Sequence, residues 1–241
     1  MCPADTNPIA PVMCIRNNYR MCGGDSPFSF GTFTTKGGNT NYKNIQWMRG
    51  CFGYRTAHTL ESITDGTSNT ILFSERATSN RQDGVLRIIE AAISNFNINS
   101  AWNGLNQNAS AHHRVDCINT RNGQDYKTPI TGVTNPTGYK GHLGWNYTDG
   151  HYLHSTFYTA ISPNGPSCYY RTNRDLGIIT PTSNHSGGVV VGFADGSVRF
   201  INEAIDIGTG DSANRDSGSP SVYGVWGALG SRCGGESVTA P

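Results

Sequence analysis

The feature that most constrains this chain is a hairpin pattern from His185 to Ile201, which reads HSGGVVVGFADGSVRFI. An apolar, β-branched run approaches Asp195-Gly196, and a second apolar run leaves it. Asp-Gly between two such runs predicts a tight turn, because Gly adopts positive φ freely and Asp nearly so. We therefore expect paired strands at 189–193 and 198–201, with His185 held near the start of the first.

Composition favours strands and loops over long helices. Of 241 residues, 30 are glycine and 11 are proline, and Asn, Ser and Thr are abundant; this mixture makes turns. The sequence predicts one mainly β (α+β) domain over 1–241, a loop-rich antiparallel sheet with one or two helices. A strand is expected at 70–74, and the longer helix at 85–96, where apolar residues recur every three or four positions. A short helix is expected around Trp226.

Five further sequence blocks accompany the hairpin in a fixed order. The blocks are CPAD at 2–5, NYRMCGGDSP at 18–27, SITDGTSNTILFSE at 62–75, PNGPSC at 163–168 and VYGVWGALGSRCGGESV at 222–238. With the nine residues between His185 and Asp195-Gly196, they resemble the prepilin-type H-x(9)-D-G family. Cys233 departs from the pattern, because many relatives carry a small residue without sulfur at that position.

The resemblance implies a pilin-like or pseudopilin-like head domain, a structural or interaction subunit of a filament or of a type II secretion or surface assembly. Its location would be extracellular or at the cell surface, and its partners would be other copies of itself or pilin-like subunits. Relatives begin with an apolar helix of about 20 residues, the length that spans a bilayer. We expect this chain to be the soluble part of a longer precursor, touching a membrane only through that missing helix.

The alternative is an extracellular carbohydrate- or solute-binding module, because related sequences have been catalogued as solute-binding-like. Aromatic side chains could stack against the sugar rings of a glycan. The net charge of +1 offers no footprint for nucleic acid. The candidate aromatic residues are Trp102, Trp145, Tyr147, Tyr152, Tyr169 and Tyr170.

Enzyme chemistry is not expected. The chain has no G-x-S-x-G elbow and no glycine-rich phosphate loop, so no catalytic residue is assigned. His185 and Asp195 could act as a ligand or acid/base pair, but a structural role is favoured for both and for Gly196. A straight strand between the two side chains would separate them by more than about 20 Å.

One turn has the oxygen spacing that would suit calcium. Asp65, Thr67 and Asn69 supply oxygen side chains at alternate positions, and hard cations prefer oxygen ligands. The favoured interpretation is an Asx-turn that caps the next element. No other cofactor is expected.

The seven cysteines favour a disulfide framework in an oxidising compartment. Cys117 and Cys168, which fall in family-like blocks, form the best candidate pair. Cys14 and Cys22 could close a short local loop. Because seven is odd, at least one thiol is left without a partner inside the chain.

Overall fold

The computed structural model describes about half of the chain. The α+β architecture is mainly β, as the composition predicts. In chain order the strands are β1 (Tyr19–Cys22), β2 (Ile71–Glu75), β3 (Glu90–Ala92), β4 (Arg121–Asn122), β5 (Asp125–Tyr126), β6 (Thr156–Phe157), β7 (Ser167–Tyr169), β8 (Gly177–Ile178), β9 (Gly188–Phe193) and β10 (Val198–Asn202). The helices are α1 (His113–Asn119), α2 (Gly224–Gly230) and the 3-10 turns Leu60–Ser62 and Thr67–Asn69. The described residues are 17–26, 48–53, 56–77, 90–92, 113–119, 121–122, 125–126, 150, 155–169, 177–210, 218–238 and 241.

A five-stranded sheet in the order β10-β9-β2-β1-β6 organises the described part of the chain. Its neighbours are antiparallel except β1 and β6, which are parallel. A smaller sheet in the order β3-β7-β8 also mixes the two directions, and β4 pairs with β5. The described strand pairs are therefore mostly antiparallel, as the sequence predicts, with two parallel pairs that the sequence did not predict.

The predicted hairpin is confirmed. Strands β9 and β10 pair antiparallel, with Val198 opposite Gly192 and Ile201 opposite Val189. Gly196 at the turn has φ of 84°, a conformation that Gly adopts without the steric cost borne by other residues. The strand predicted at 70–74 is also present, as β2.

The helix predicted at 85–96 is wrong where the structure describes it. Glu90–Ala92 is strand β3 and pairs with β7 in parallel, and the remainder of 85–96 lies outside the described residues. Pairing with a distant strand here overrides a local helical period, because propensity is a weak prior against tertiary context. The short helix expected around Trp226 is confirmed as α2.

The core lies between one face of the sheet and α2. The indole of Trp226 is fully buried, and its Nε1 donates to Ile161 O at 2.8 Å. That bond satisfies the ring nitrogen, as burial of a tryptophan requires. The buried cluster comprises Cys22, Ile71, Phe157, Val189, Val191, Phe193, Ile201, Trp226 and Leu229.

The opposite face of the sheet carries partly exposed apolar side chains, and the Phe52 ring lies against one of them, Phe73, at a centroid distance of 5.2 Å. Phe73 lies opposite Gly192 on β9, which in turn lies opposite Val198, so these positions share one face. We call this surface the open face. Its exposed members and their exposures are Tyr19 at 49%, Phe73 at 43%, Val198 at 69% and Phe200 at 47%.

Among the described residues, no helix combines the length and apolar character needed to cross a membrane.

Candidate functional site

The turn of the signature hairpin rests on the turn that the calcium interpretation singled out. Asp195 N donates to Thr67 O at 3.1 Å, and Ala194 N donates to Thr70 O at 2.9 Å. Within the turn, Asp195 Oδ1 accepts from Ser197 N at 2.8 Å. The Asp-Gly turn and the block at 62–75 are thus one structural unit, because backbone groups of each satisfy the other.

His185 precedes β9 and contacts the end of β2. Its Nε2 lies 3.4 Å from Glu75 Oε1, while its side chain is 44% exposed. The other carboxylate oxygen of Glu75 accepts from Val190 N at 3.1 Å, and His185 N donates to Ser183 Oγ at 3.1 Å. Glu75 therefore joins the histidine to the first strand of its own hairpin.

The structure does not bring His185 and Asp195 together. Strand β9 runs between them for six residues, about 20 Å at the usual rise of a strand. The His185 ring contacts the Glu75 carboxylate, whereas the Asp195 carboxylate accepts a hydrogen bond from Ser197 N within its own turn. The spacing of the signature is therefore the length of a strand with its flanks, and the structural role of both residues stays a prediction.

A small cleft lies beside the Glu75 carboxylate. Charged and neutral polar residues line it, and they include Glu75, the partner of the signature histidine. Its lining residues are Asn18, Glu75, Arg76, Ala77, Thr182, Ser183 and Asn184.

Asn164 connects the loop around His185 to the hairpin. It has φ of 60°, a left-handed conformation that is uncommon outside glycine. Its Oδ1 accepts from Ser183 N at 2.8 Å, and its Nδ2 donates to Glu203 Oε2 at 3.2 Å and to Gly188 O at 3.4 Å. Asn164 thus contacts the residues before β9, the start of β9 and the residue after β10.

Asp65 anchors the C-terminal segment. Gly234 N donates to its Oδ2 at 2.7 Å, and Gly235 N donates to its Oδ1 at 2.9 Å. Both carboxylate oxygens therefore accept from backbone. Thr67 and Asn69 belong to a 3-10 turn, where Asn69 N donates to Gly66 O at 3.0 Å. The Asp65 carboxylate therefore holds a distant segment, and no side chain caps the 3-10 turn that follows it. The structure thus shows no Asx-turn cap at this position, and the calcium prediction gains no ligand geometry from the arrangement.

Across the part of the chain that the structure describes, no group of three or more His, Cys, Asp or Glu side chains is arranged to hold a metal ion.

Sequence reasoning missed the groups that hold these loops in place. Glu75 and Asn164 both lie in blocks that resemble the family, and a charged or amide residue beside a buried strand was the available signal. Arg76 is fully buried, and its Nη1 donates to Ser167 Oγ at 2.8 Å. Arg49 is buried against the carboxylate of Asp25. No local pattern marks an arginine as buried, because its partners come from distant segments.

Two of the cysteines paired from sequence have described side chains, Cys117 and Cys22, and they differ. Cys117 is disulfide-bonded, and its Sγ lies 3.8 Å from Pro166 O, two residues before Cys168. The side chain of Cys168 lies outside the description, so the pairing of Cys117 with Cys168 stays a prediction. Cys22 is a free thiol. The Cys14–Cys22 pairing is therefore not formed here.

The physical reason for that correction is the position of Cys22 in the core. Its side chain is fully buried, and its Sγ lies 3.8 Å from Gly230 O. Burial raises the pKa of the Cys22 thiol, so a reactive thiolate is disfavoured.

The aromatic residues proposed to stack sugars fall outside the described side chains. Tyr169 belongs to β7 by its backbone, and Trp102, Trp145, Tyr147, Tyr152 and Tyr170 are not described.

The class that these features define is a mainly β α+β domain built around a signature hairpin, with one packed and one open sheet face. The family model described as "Protein of unknown function (DUF1559)" matches residues 1–208. The chain belongs to this family, and the match includes the hairpin and the blocks before it. No curated protein and no solved structure matches the chain.

Proposed function

We propose that this chain is a structural or interaction subunit located outside the cell, the globular head of a pilin-like protein. The open face is the observation that carries this proposal. Tyr19, Phe73, Val198 and Phe200 expose between 43% and 69% of their surface on one side of three strands. Contiguous exposed apolar surface of this kind marks interaction sites in soluble proteins.

The position of β10 adds to the argument. Within the described residues it is one of the two edges of the five-stranded sheet, and it carries two of the four exposed apolar residues of the open face. Edge strands offer unpaired backbone groups to another chain, and natural proteins usually blunt them with charge or proline. In β10 only Arg199 is charged, and its guanidinium lies over the Phe193 ring, 4.6 Å from the centroid. The open face and its edge therefore favour contact with a protein partner.

The sequence blocks and their order indicate which partners to propose. The blocks from CPAD to the hairpin resemble the prepilin-type family, whose members are assembled through an N-terminal apolar helix. The proposed partners are accordingly other copies of this protein or pilin-like subunits. A carbohydrate- or solute-binding module stays the alternative. The side chains of its candidate aromatic residues are not described, so the structure does not argue against it.

Photo-crosslinking in cells that express the native gene tests the proposal. A benzophenone amino acid replaces Val198, which is 69% exposed on the open face. The matched control replaces Leu60, which is 67% exposed on a 3-10 turn outside the sheet. We expect an adduct with a second copy or a pilin-like subunit from position 198 and none from position 60.

Equal labelling at both positions, or none at 198, would contradict the proposal. A glycan array on the purified chain addresses the alternative. Saturable binding to one glycan class, without an adduct at 198, would replace the structural role with the binding-module role.

A further inference from the structure

Two distant segments that each carry a cysteine meet at one backbone hydrogen bond. Arg232 N donates to Arg49 O at 2.9 Å. Cys233 follows Arg232 directly, and Cys51 follows Arg49 after a single glycine. The backbone bends at Gly50 and Cys51 and again from Arg232 onward. The two cysteines therefore flank a fixed point of contact between the segments.

The C-terminal segment is held at this point from its other side. Arg232 O accepts from Asp65 N at 3.3 Å, and the Asp65 carboxylate holds the backbone of Gly234 and Gly235. Cys233 thus lies between two anchored positions, so its location relative to Cys51 is fixed by the fold. Because the fold already holds this segment in place, joining the two side chains loses less conformational entropy than closing a free loop would.

Both side chains are partly exposed thiols. Cys51 and Cys233 have intermediate burial, in contrast to the fully buried Cys22. Burial raises the pKa of the Cys51 thiol to about 11; the charge of Arg232 opposes this rise, and the nearby Cys233 adds to it. The influence of Cys233 on the Cys51 thiol agrees with the backbone contact between Arg232 and Arg49, which brings the two segments together.

We propose that Cys51 and Cys233 form a disulfide when the folded chain meets a low-molecular-weight disulfide. The thiolate of one cysteine attacks a sulfur of the oxidant and releases one small thiol, which leaves a mixed disulfide. The thiolate of the second cysteine then attacks the protein sulfur of that bond and releases the second small thiol. The protein loses two protons and two electrons, which reduce one oxidant molecule to two thiols.

The bond would join the C-terminal segment covalently to the segment around Cys51, which lies after β1 and next to the buried Arg49. It is independent of the proposed surface role, because it needs only the fold and the oxidant. It would also account for two of the seven cysteines by a pairing that the sequence spacings do not suggest.

Peptide mapping of the full chain tests the bond directly. The reduced, folded protein is incubated with oxidised glutathione, alkylated, and digested with trypsin without reduction. Cleavage after Arg49, Arg55 and Arg232 places Cys51 alone in peptide 50–55 and Cys233 alone in peptide 233–241. We expect these two peptides joined in one species, lighter than their sum by two hydrogen atoms and separated again by reductant.

Peptide 21–36, which contains Cys22 alone, is the internal control and should stay uncrosslinked. Recovery of 50–55 and 233–241 as separate alkylated peptides would overturn the proposal, and so would a link from either of them to another cysteine.

A second measurement uses the variant Cys233→Ser. In reductant its thermal unfolding midpoint should equal that of the unmodified chain, because serine is of similar size at a partly exposed position. In oxidised glutathione the unmodified chain should unfold at a higher temperature than the variant, since a disulfide restricts the unfolded state. Equal midpoints under oxidation would refute the bond, and the peptide map decides the question if the variant does not fold.

Discussion

Gly196→Val should destabilise the protein through backbone conformation alone. Gly196 has φ of 84°, and a Cβ built there would meet no atom within 4 Å. The cost of placing a side chain at this turn therefore comes from the backbone angle φ and not from steric contact with other residues. Gly192, in β9 of the same hairpin, is the matched control, because a Cβ there also meets nothing within 4 Å and its φ is not positive.

The magnitude follows from this contrast. A β-branched residue held in the left-handed region costs about 1–3 kcal/mol. At Gly192 the same substitution meets no strain and reduces the freedom of the unfolded chain, which is worth about 0.4–1 kcal/mol in favour of the folded state. For a chain of this size, each kcal/mol moves the unfolding midpoint by about 2–4 °C.

Urea denaturation of the two variants beside the unmodified chain measures the difference. We expect Gly196→Val to lower the free energy of unfolding and Gly192→Val to leave it unchanged or to raise it. Equal losses in both variants would refute the reasoning, because strain at positive φ would then not be the cause.

His185→Ala should lower the free energy of unfolding by only about 0.3–1 kcal/mol, because the His185 side chain that contacts Glu75 is about half exposed to solvent. A loss above about 3 kcal/mol, measured by urea denaturation, lies beyond the usual range for single substitutions and would contradict this estimate. Asp65→Asn should cost about 1–2 kcal/mol, since it weakens two charge-assisted bonds to backbone N–H groups, and added calcium should leave the unfolding midpoint of the unmodified chain in place; a clear rise with calcium would restore the metal interpretation. A tryptic digest without reduction should join the peptides that carry Cys117 and Cys168, and recovery of Cys117 with any other cysteine would refute that pair.

The part of the fold that could be predicted from sequence is the part held by local signals. Asp195-Gly196 marks the hairpin turn, and the apolar runs on either side form strands where the pattern places them. The helix around Trp226 follows for the same reason, because its apolar residues lie on one side of a short turn of helix. Each of these elements is decided by residues within a few positions of one another.

The failure at Glu90–Ala92 has the opposite cause. Its helical period is a genuine local pattern, yet the segment is strand β3 because β7 lies beside it in the fold. A three-residue strand carries too little pattern of its own to be recognised, so only the partner reveals it.

For the candidate site, sequence alone identified His185, Asp195 and Gly196 and favoured a structural role, from the length of strand that nine residues allow. Only the tertiary structure decided that Glu75 partners the histidine, that Asp65 anchors Gly234 and that the segments carrying Cys51 and Cys233 meet. Turn chemistry depends on the backbone preferences of adjacent residues, which the sequence states directly. Contacts between segments far apart in the chain depend on how the strands are ordered in the sheet, and no local preference encodes that order.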